Sequence, residues 1–216
     1  MIVRVSKECS ELGIFIAHTE VVNLTNGSLH FEEEMQKLET SFDLESLSVD
    51  PVVRAYREFY WRLGIDPTKT RPSGEALRRR VARGSKLPRI NDIVDAGNIV
   101  SVKTLVPIGL YDLSKLVGSP TLVLSKGGER FNPIGSKSET LESGIPILQD
   151  ERGLVIHVYP HRDALESSVR NSTTSVLVIG AGVPRIERKL VINAVEMVCD
   201  LLKRIGGVKT HEIEVS

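Results

Sequence analysis

Residues 90–112 read INDIVDAGNIVSVKTLVPIGLYD, and the spacing of apolar and polar side chains in this stretch decides how the rest of the chain is divided. Ile90, Ile93, Val94 and Gly97 follow i, i+3, i+4, i+7, the series that lines one side of a helix. Asn91, Asp95 and Asn98 share another side, where a helix that only buries an apolar stripe has no need of amides and carboxylates. These groups, with Asp112 after them, serve one of two purposes. Buried polar side chains must be satisfied, so they can peg a loop to a sheet. Alternatively, they line a pocket that recognises an amino group and a carbonyl.

Upstream, Met1–Val5 and Gly13–Leu24 are β-rich runs that read as a hairpin-like pair, with NGS at 26–28 as the turn that ends the second. Helical, acid-rich patterning spans Ser28 to Phe42. Asp50-Pro51 starts another helix, whose apolar Val52, Val53, Tyr56, Phe59, Tyr60 and Leu63 recur near a 3.6 period until Gly64 stops it. Ser73 is an expected N-cap for the basic helix EALRRRVARG, which ends at Gly84. From Thr121 onward the texture changes to short β-prone runs: TLVLSKGGERF, GIPIL, GLVIHVY and TSVLVIGAG. Pro184 is placed to open a long amphipathic helix closed by Gly206-Gly207, and VKTHEIEV is a last strand. The expectation is one α+β domain over residues 1–216, with a helix-rich first half, a sheet-rich second half and a mixed or antiparallel β core flanked by helices.

The formal charge is +0, but it is unevenly distributed. Residues 1–53 hold ten acids against three bases, and residues 54–89 hold eleven bases against three acids. The balanced total excludes a protein that coats nucleic acid indiscriminately, since such binding relies on many phosphate-neutralising cations. A local basic face remains compatible with nucleic acid, or else it is a solvated helix whose charge is matched by an acidic extension, residues 1–50, packed on the domain. Cys9 and Cys199 lack metal-ligand spacing and suggest no disulfide framework, which fits a reducing cytoplasm. MIVRVSKECSE has no apolar signal core, and no run approaches the roughly 20 apolar residues that span a bilayer. A soluble cytoplasmic protein without cofactor or metal is expected, with no membrane partner.

Several motifs are excluded or weighed on spacing. No G-x-x-x-x-G-K-[ST] occurs, and the strand-then-glycine run VLVIGAGVPR lacks the third glycine of a dinucleotide fingerprint. His157 and His161 are four apart, but LVIHVYPHRD reads as a strand running into a proline turn, not as a helix that would align them for a metal. The Arg162-Asp163 pair in that turn can fix a loop or read a ligand. Thr173 and Thr174 stand where a hydroxyl can contact a small ligand or cap the entry to the next strand.

Val94–Asn98 as V-D-x-x-N, followed by Pro107–Asp112 as P-x-x-x-[FY]-D, resembles the B3/B4 domain of the phenylalanyl-tRNA synthetase β subunit. RPSGEALRRRV, YDLSKLVGSPTLVLSKGGERF, DERGLVIHVYPHRD and NSTTSVLVI extend the likeness, in family order, over roughly residues 56–180. The rest of a synthetase subunit is lacking, so the likeness is to freestanding members. The resemblance implies an α+β fold and tRNA-related work: within synthetases the domain hydrolyses tyrosine wrongly attached to the phenylalanine tRNA. By position the pocket Asn is Asn98, and the residue before it, commonly Thr, is Gly97. The family's editing His falls on Gly109, and the later acidic residue falls on Ser168.

The resemblance therefore implies a tRNA-interacting protein that hydrolyses a mischarged aminoacyl-tRNA in trans. Asn98, Gly97, Asp112, Arg162, Asp163 and Thr173 would bind the aminoacyl end, while Arg78, Arg79, Arg80 and Arg83 meet phosphates. Without the His and the acid, positioning and oxyanion donors must supply the catalysis. Two alternatives stay open: a tRNA- or RNA-binding module without chemistry, and a binder of a small amino-acid-like metabolite.

Overall fold

The computed structural model describes residues 1–27 and 29–216. The turn expected at 26–28 and the helical patterning expected from Ser28 both include Ser28, which lies outside the described residues. The first half of the chain runs β1 (Arg4–Val5), α1 (Lys7–Glu11), β2 (Phe15–Val22), α2 (Glu32–Leu38), α3 (Leu44–Val49), α4 (Pro51–Arg62), α5 (Ser73–Ala82) and α6 (Asp92–Thr104). Then come β3 (Ile108–Asp112), a 3-10 turn at Leu113–Lys115, β4 (Thr121–Lys126), β5 (Arg130–Phe131), β6 (Glu139–Thr140) and β7 (Ser143–Gln149). The chain closes with β8 (Val155–Val158), β9 (Arg162–Asp163), β10 (Val176–Gly182), α7 (Arg188–Lys203), β11 (Val208–Lys209) and β12 (Glu214–Val215).

These strands form two sheets and a β5–β6 ribbon. One sheet has the order β1-β4-β7-β8-β9, in which only β1–β4 is parallel. The other has the order β11-β2-β10-β3, with β12 also on β2, and is antiparallel throughout. The fold is α+β with a mixed β core. Its opening differs from a hairpin: β1 and β2 belong to different sheets, because α1 turns the chain between them. β2 sits inside its sheet, so the acidic first section supplies core structure as well as surface.

Local chemistry explains most of the element boundaries. Asp50 caps α4 by accepting from the Val52 amide at 2.8 Å, with Pro51 in the first turn. The N-cap of α5 is Pro72, without a side-chain bond, and Ser73 is already helical. α7 begins at Arg188, four residues beyond Pro184, since Pro184–Glu187 first make a turn. Its buried Val191, Ala194, Val195, Val198 and Leu202 belong to the core that α7 forms with β10, β2 and α6, and β10 is buried along its whole length. Gly180 serves that contact, since a Cβ there would stand 2.8 Å from Val191 Cγ1. Among the described residues no helix is long and apolar enough to cross a membrane.

α6 carries the segment quoted at the outset, and most of its polar groups are structural. Asn91 is the N-cap and accepts from the Val94 amide at 3.1 Å, while Asp95 accepts from the Ile90 amide at 3.0 Å. Asp92 accepts from the amides of His30 and Gly27 and ties the helix start to those two residues. Asn98, nearly two turns further on, is the member of the set that reaches a cavity.

Candidate functional site

The start of β3, the middle of α6 and the β8–β9 turn enclose two adjoining cavities. One, of about 130 Å³, is lined by Ser73, Asn98, Ser101, Gly109, His157, His161 and Asp163 among others. The second, of about 310 Å³, has walls from Val94, Gly97, Ile108, Leu110, Ile134 and Val169, with Asn98, Asp163 and Ser168 as its polar members. Asn98, Ile108 and Asp163 line both. On the far side of His161 lies a third cavity of about 440 Å³, between residues 63–70 and β7, with Arg162 in its wall. The three form a chain of openings that share His161 on one side and the Asn98–Asp163 pair on the other.

The strand register puts the functional groups in place. His157 and Asp163 are directly paired across β8 and β9, so their side chains leave the same face. His157 Nδ1 lies 2.9 Å from Asp163 Oδ1, and the Tyr111 hydroxyl donates to the same oxygen at 2.8 Å. The Tyr111 and Tyr159 rings meet the imidazole edge-on at 6.1 and 5.9 Å. Tyr159 is anchored in turn, donating to the Gly182 carbonyl at 2.7 Å. Burial pushes the Tyr111 hydroxyl well above the ordinary phenol range, with the Asp163 charge adding to it, so Tyr111 acts as a donor. Burial also lowers the His161 pKa to about 3, which keeps that ring neutral beside the cavity.

The residues expected at a site divide into two groups. Gly97, Asn98, Asp163, Gly109 and Ser168 come together around the two cavities. Gly97 is small for a packing reason, since a Cβ there would stand 2.7 Å from Leu110 Cδ1. Asp112 and Thr173 do not line these cavities. Thr173 Oγ1 donates to Asp112 Oδ2 at 2.6 Å, and Asp112 Oδ1 accepts from the Ser114 amide and hydroxyl, so the pair braces the ends of β3 and β10. Burial raises the Asp112 pKa, but the Thr173 and Ser114 hydrogen bonds outweigh it and leave the carboxyl below its usual range. Arg162 points away from Asp163, as strand alternation requires. Its guanidinium pairs with Glu139 at 2.7 Å and lies over the Phe131 ring.

Two of the arginines expected to meet phosphates are engaged internally. Arg78 donates to the Val102 and Lys103 carbonyls at 2.6 and 2.7 Å, satisfying the C-terminal end of α6, and its side chain is largely buried. Arg79 pairs with the buried Glu75, which also holds Arg57. Arg80 and Arg83 are exposed, although Arg80 Nε also donates to the Lys86 carbonyl at 2.5 Å. Sequence reasoning missed His157 and Tyr111. The six-residue interval across a Tyr-Pro turn was a usable signal for His157 with Asp163, since such a turn returns the chain beside itself. Among the described residues no group of three His, Cys, Asp or Glu is arranged to hold a metal.

The fold and cavities define a class: an α+β domain with a polar-ended cavity between a buried helix and a sheet. The family model of the B3/4 domain matches residues 55–207, and the chain belongs to that family. The chain is similar in fold to an N-terminal fragment of the phenylalanyl-tRNA synthetase β-subunit from Pyrococcus horikoshii, with a TM-score of 0.52 and 17% sequence identity. That likeness covers 98% of this chain and 50% of the other, so the chain spans half the length of that structure. A search of the curated proteins finds no match.

Proposed function

We propose that this protein binds the aminoacyl end of a charged tRNA in the Asn98 cavities and hydrolyses the ester, acting in trans on mischarged tRNA. The observation that carries the reading is the position of Asn98 and Asp163, which stand in the shared wall of a small polar cavity and a larger apolar one. An aminoacyl ester has that same division. Its apolar side chain suits the walls of Val94, Ile108, Leu110, Ile134 and Val169, and its amino group and carbonyl suit the Asn98 amide, which both donates and accepts. Membership of the B3/4 family supports a tRNA-related substrate, as does the likeness to a synthetase subunit. Arg80 and Arg83, exposed at the end of α5, are the cations available for phosphates. The role belongs to the cytoplasm, where charged tRNA is found.

The test uses a panel of tRNAs carrying correct and incorrect amino acids, incubated with catalytic amounts of protein. Ester loss is followed with the unaltered protein and with Asn98→Ala. Faster hydrolysis of one or more mischarged species, weakened about tenfold or more by Asn98→Ala, is the expected result. Esters that survive across the panel rule out the deacylase.

One observation favours a second reading. Gly109 and Ser168 line the cavities at the positions that the resemblance assigns to the editing His and acid, and neither can move a proton as those groups do. A binding module that holds tRNA without cleaving it accounts for that. It predicts salt-dependent tRNA binding with no ester loss.

A further inference from the structure

The 130 Å³ cavity has in its wall an imidazole nitrogen without a partner. His157 is buried, its Nε2 is shielded from solvent, and among the described residues nothing hydrogen-bonds to that atom. The other side of the ring decides the tautomer. An ionised carboxylate only accepts, so with Asp163 Oδ1 against Nδ1 the ring proton sits on Nδ1 and Nε2 carries a lone pair. A buried acceptor left unmet destabilises the folded chain. His18, His161 and His211 also keep an unmet ring nitrogen; His157 differs in that its other nitrogen is fixed by Asp163 while its ring lines the Asn98 cavity. His157 and Asn98 both line this cavity of about 130 Å³, so water held there is the partner nearest to the ring from outside the chain.

We propose that His157, oriented by Asp163 and Tyr111, is the general base that activates the hydrolytic water in this site. The proposal rests on the reading of the cavities as an aminoacyl-ester site. Nε2 takes a proton from water as the water oxygen bonds to the ester carbonyl carbon, and the carbonyl electron pair moves onto its oxygen. When the tetrahedral intermediate collapses, the bond from that carbon to the ribose oxygen breaks, and the departing oxygen takes the proton back from the imidazolium. The products are the free amino acid and the tRNA hydroxyl. Asp163 stabilises the imidazolium while it lasts, and Tyr111 holds Asp163 in line.

The titratable or charged groups around the ring are Tyr111 on β3, Tyr159 and His161 in the β8–β9 turn, and Arg162 and Asp163 on β9. Burial keeps His161 neutral and both tyrosines protonated, so none of these three changes charge near neutrality.

The experiment times deacylation of tRNAs charged with each apolar amino acid by the unaltered protein, His157→Gln and Asp163→Asn. Affinity for 3′-aminoacylamino-adenosine, an amide in place of the ester, reports binding separately. We expect His157→Gln to slow hydrolysis by about 10²–10⁴-fold and to lose the acid limb of the rate profile, with analogue affinity held within about threefold. Added imidazole restores part of the rate to His157→Gly. Hydrolysis at the unaltered rate by His157→Gln overturns this proposal and leaves the deacylase standing; no hydrolysis by the unaltered protein overturns both. If His157→Gln loses analogue binding by misfolding, an unchanged Asp163→Asn rate and no imidazole rescue also overturn it.

Discussion

Gly109 and Tyr111 lie two residues apart on β3, and the Tyr111 hydroxyl occupies the room that a side chain at 109 would need. A Cβ at Gly109 would collide with that hydroxyl and stand 2.8 Å from Ile179 Cγ1. Tyr111 cannot yield freely, because its hydroxyl donates to Asp163. Position 109 is therefore closed by the same group that holds the His157–Asp163 pair.

Gly109→His, which would place an imidazole where the resemblance expects one, should harm this protein. Overpacking of this kind costs about 1–3 kcal/mol, read as a lower denaturation midpoint. Displacing Tyr111 should also slow deacylation. A stable variant with faster ester hydrolysis would contradict this account of β3.

Thr173→Val separates a brace from a binding residue. It removes the donor to buried Asp112 Oδ2, so stability should fall by about 1–3 kcal/mol in denaturant titration. Analogue affinity in the folded fraction should stay close to that of the unaltered protein. A tenfold loss of affinity without loss of stability would return Thr173 to the pocket.

Arg80→Ala with Arg83→Ala should weaken tRNA binding for all sequences and lower the slope of log affinity against log salt by about 2. Arg78→Ala should act on stability instead, by roughly 1–3 kcal/mol, since it removes charged donors from the last carbonyls of α6. An unchanged slope in the double variant would exclude this face.

Acid should destabilise the fold through two buried imidazoles. Burial lowers the pKa of His18 to about 4 and of His161 to about 3, from 6.5. The unfolded chain takes up these protons first, so the stability from each neutral ring is complete above pH 6.5 and is lost as pH falls toward the folded value. Each ring contributes a loss of about 1.4 kcal/mol per pH unit within that window. Denaturant titrations from pH 7.5 to 4.5 should show the decline, and His161→Gln should reduce its slope; a parallel decline in both proteins would refute the assignment to His161.

Much of the fold was legible because it rests on short-range patterns. The apolar series of α4, α6 and α7 and the β-prone runs after Thr121 name their elements without outside help, and the α+β class follows from their order. The hairpin expected at the amino terminus failed for a reason of range. Arg4–Val5 pairs with β4 more than a hundred residues away, and no local signal in a two-residue strand records that.

The candidate site was legible only in part. Asn98, Gly97 and Asp163 line the cavities, but the neighbours of each polar group could not be read from the sequence. Asn91 and Asp95 proved to be caps, Asp112 and Thr173 satisfy each other, and Arg78 closes a helix end. By itself the sequence determined which stretches are helix or strand and which family's motifs they carry, since periodicity and turn chemistry act over a few residues. Only the tertiary structure decided which polar groups are already satisfied and which face a cavity. Hydrogen-bond satisfaction depends on partners brought together by the register of β8 with β9 and the packing of β3 on α6. That is how residues 90–112 bring Asn98 to the cavity wall and Tyr111 to Asp163, while His157 reaches the same cavity from a strand 45 residues beyond Asp112.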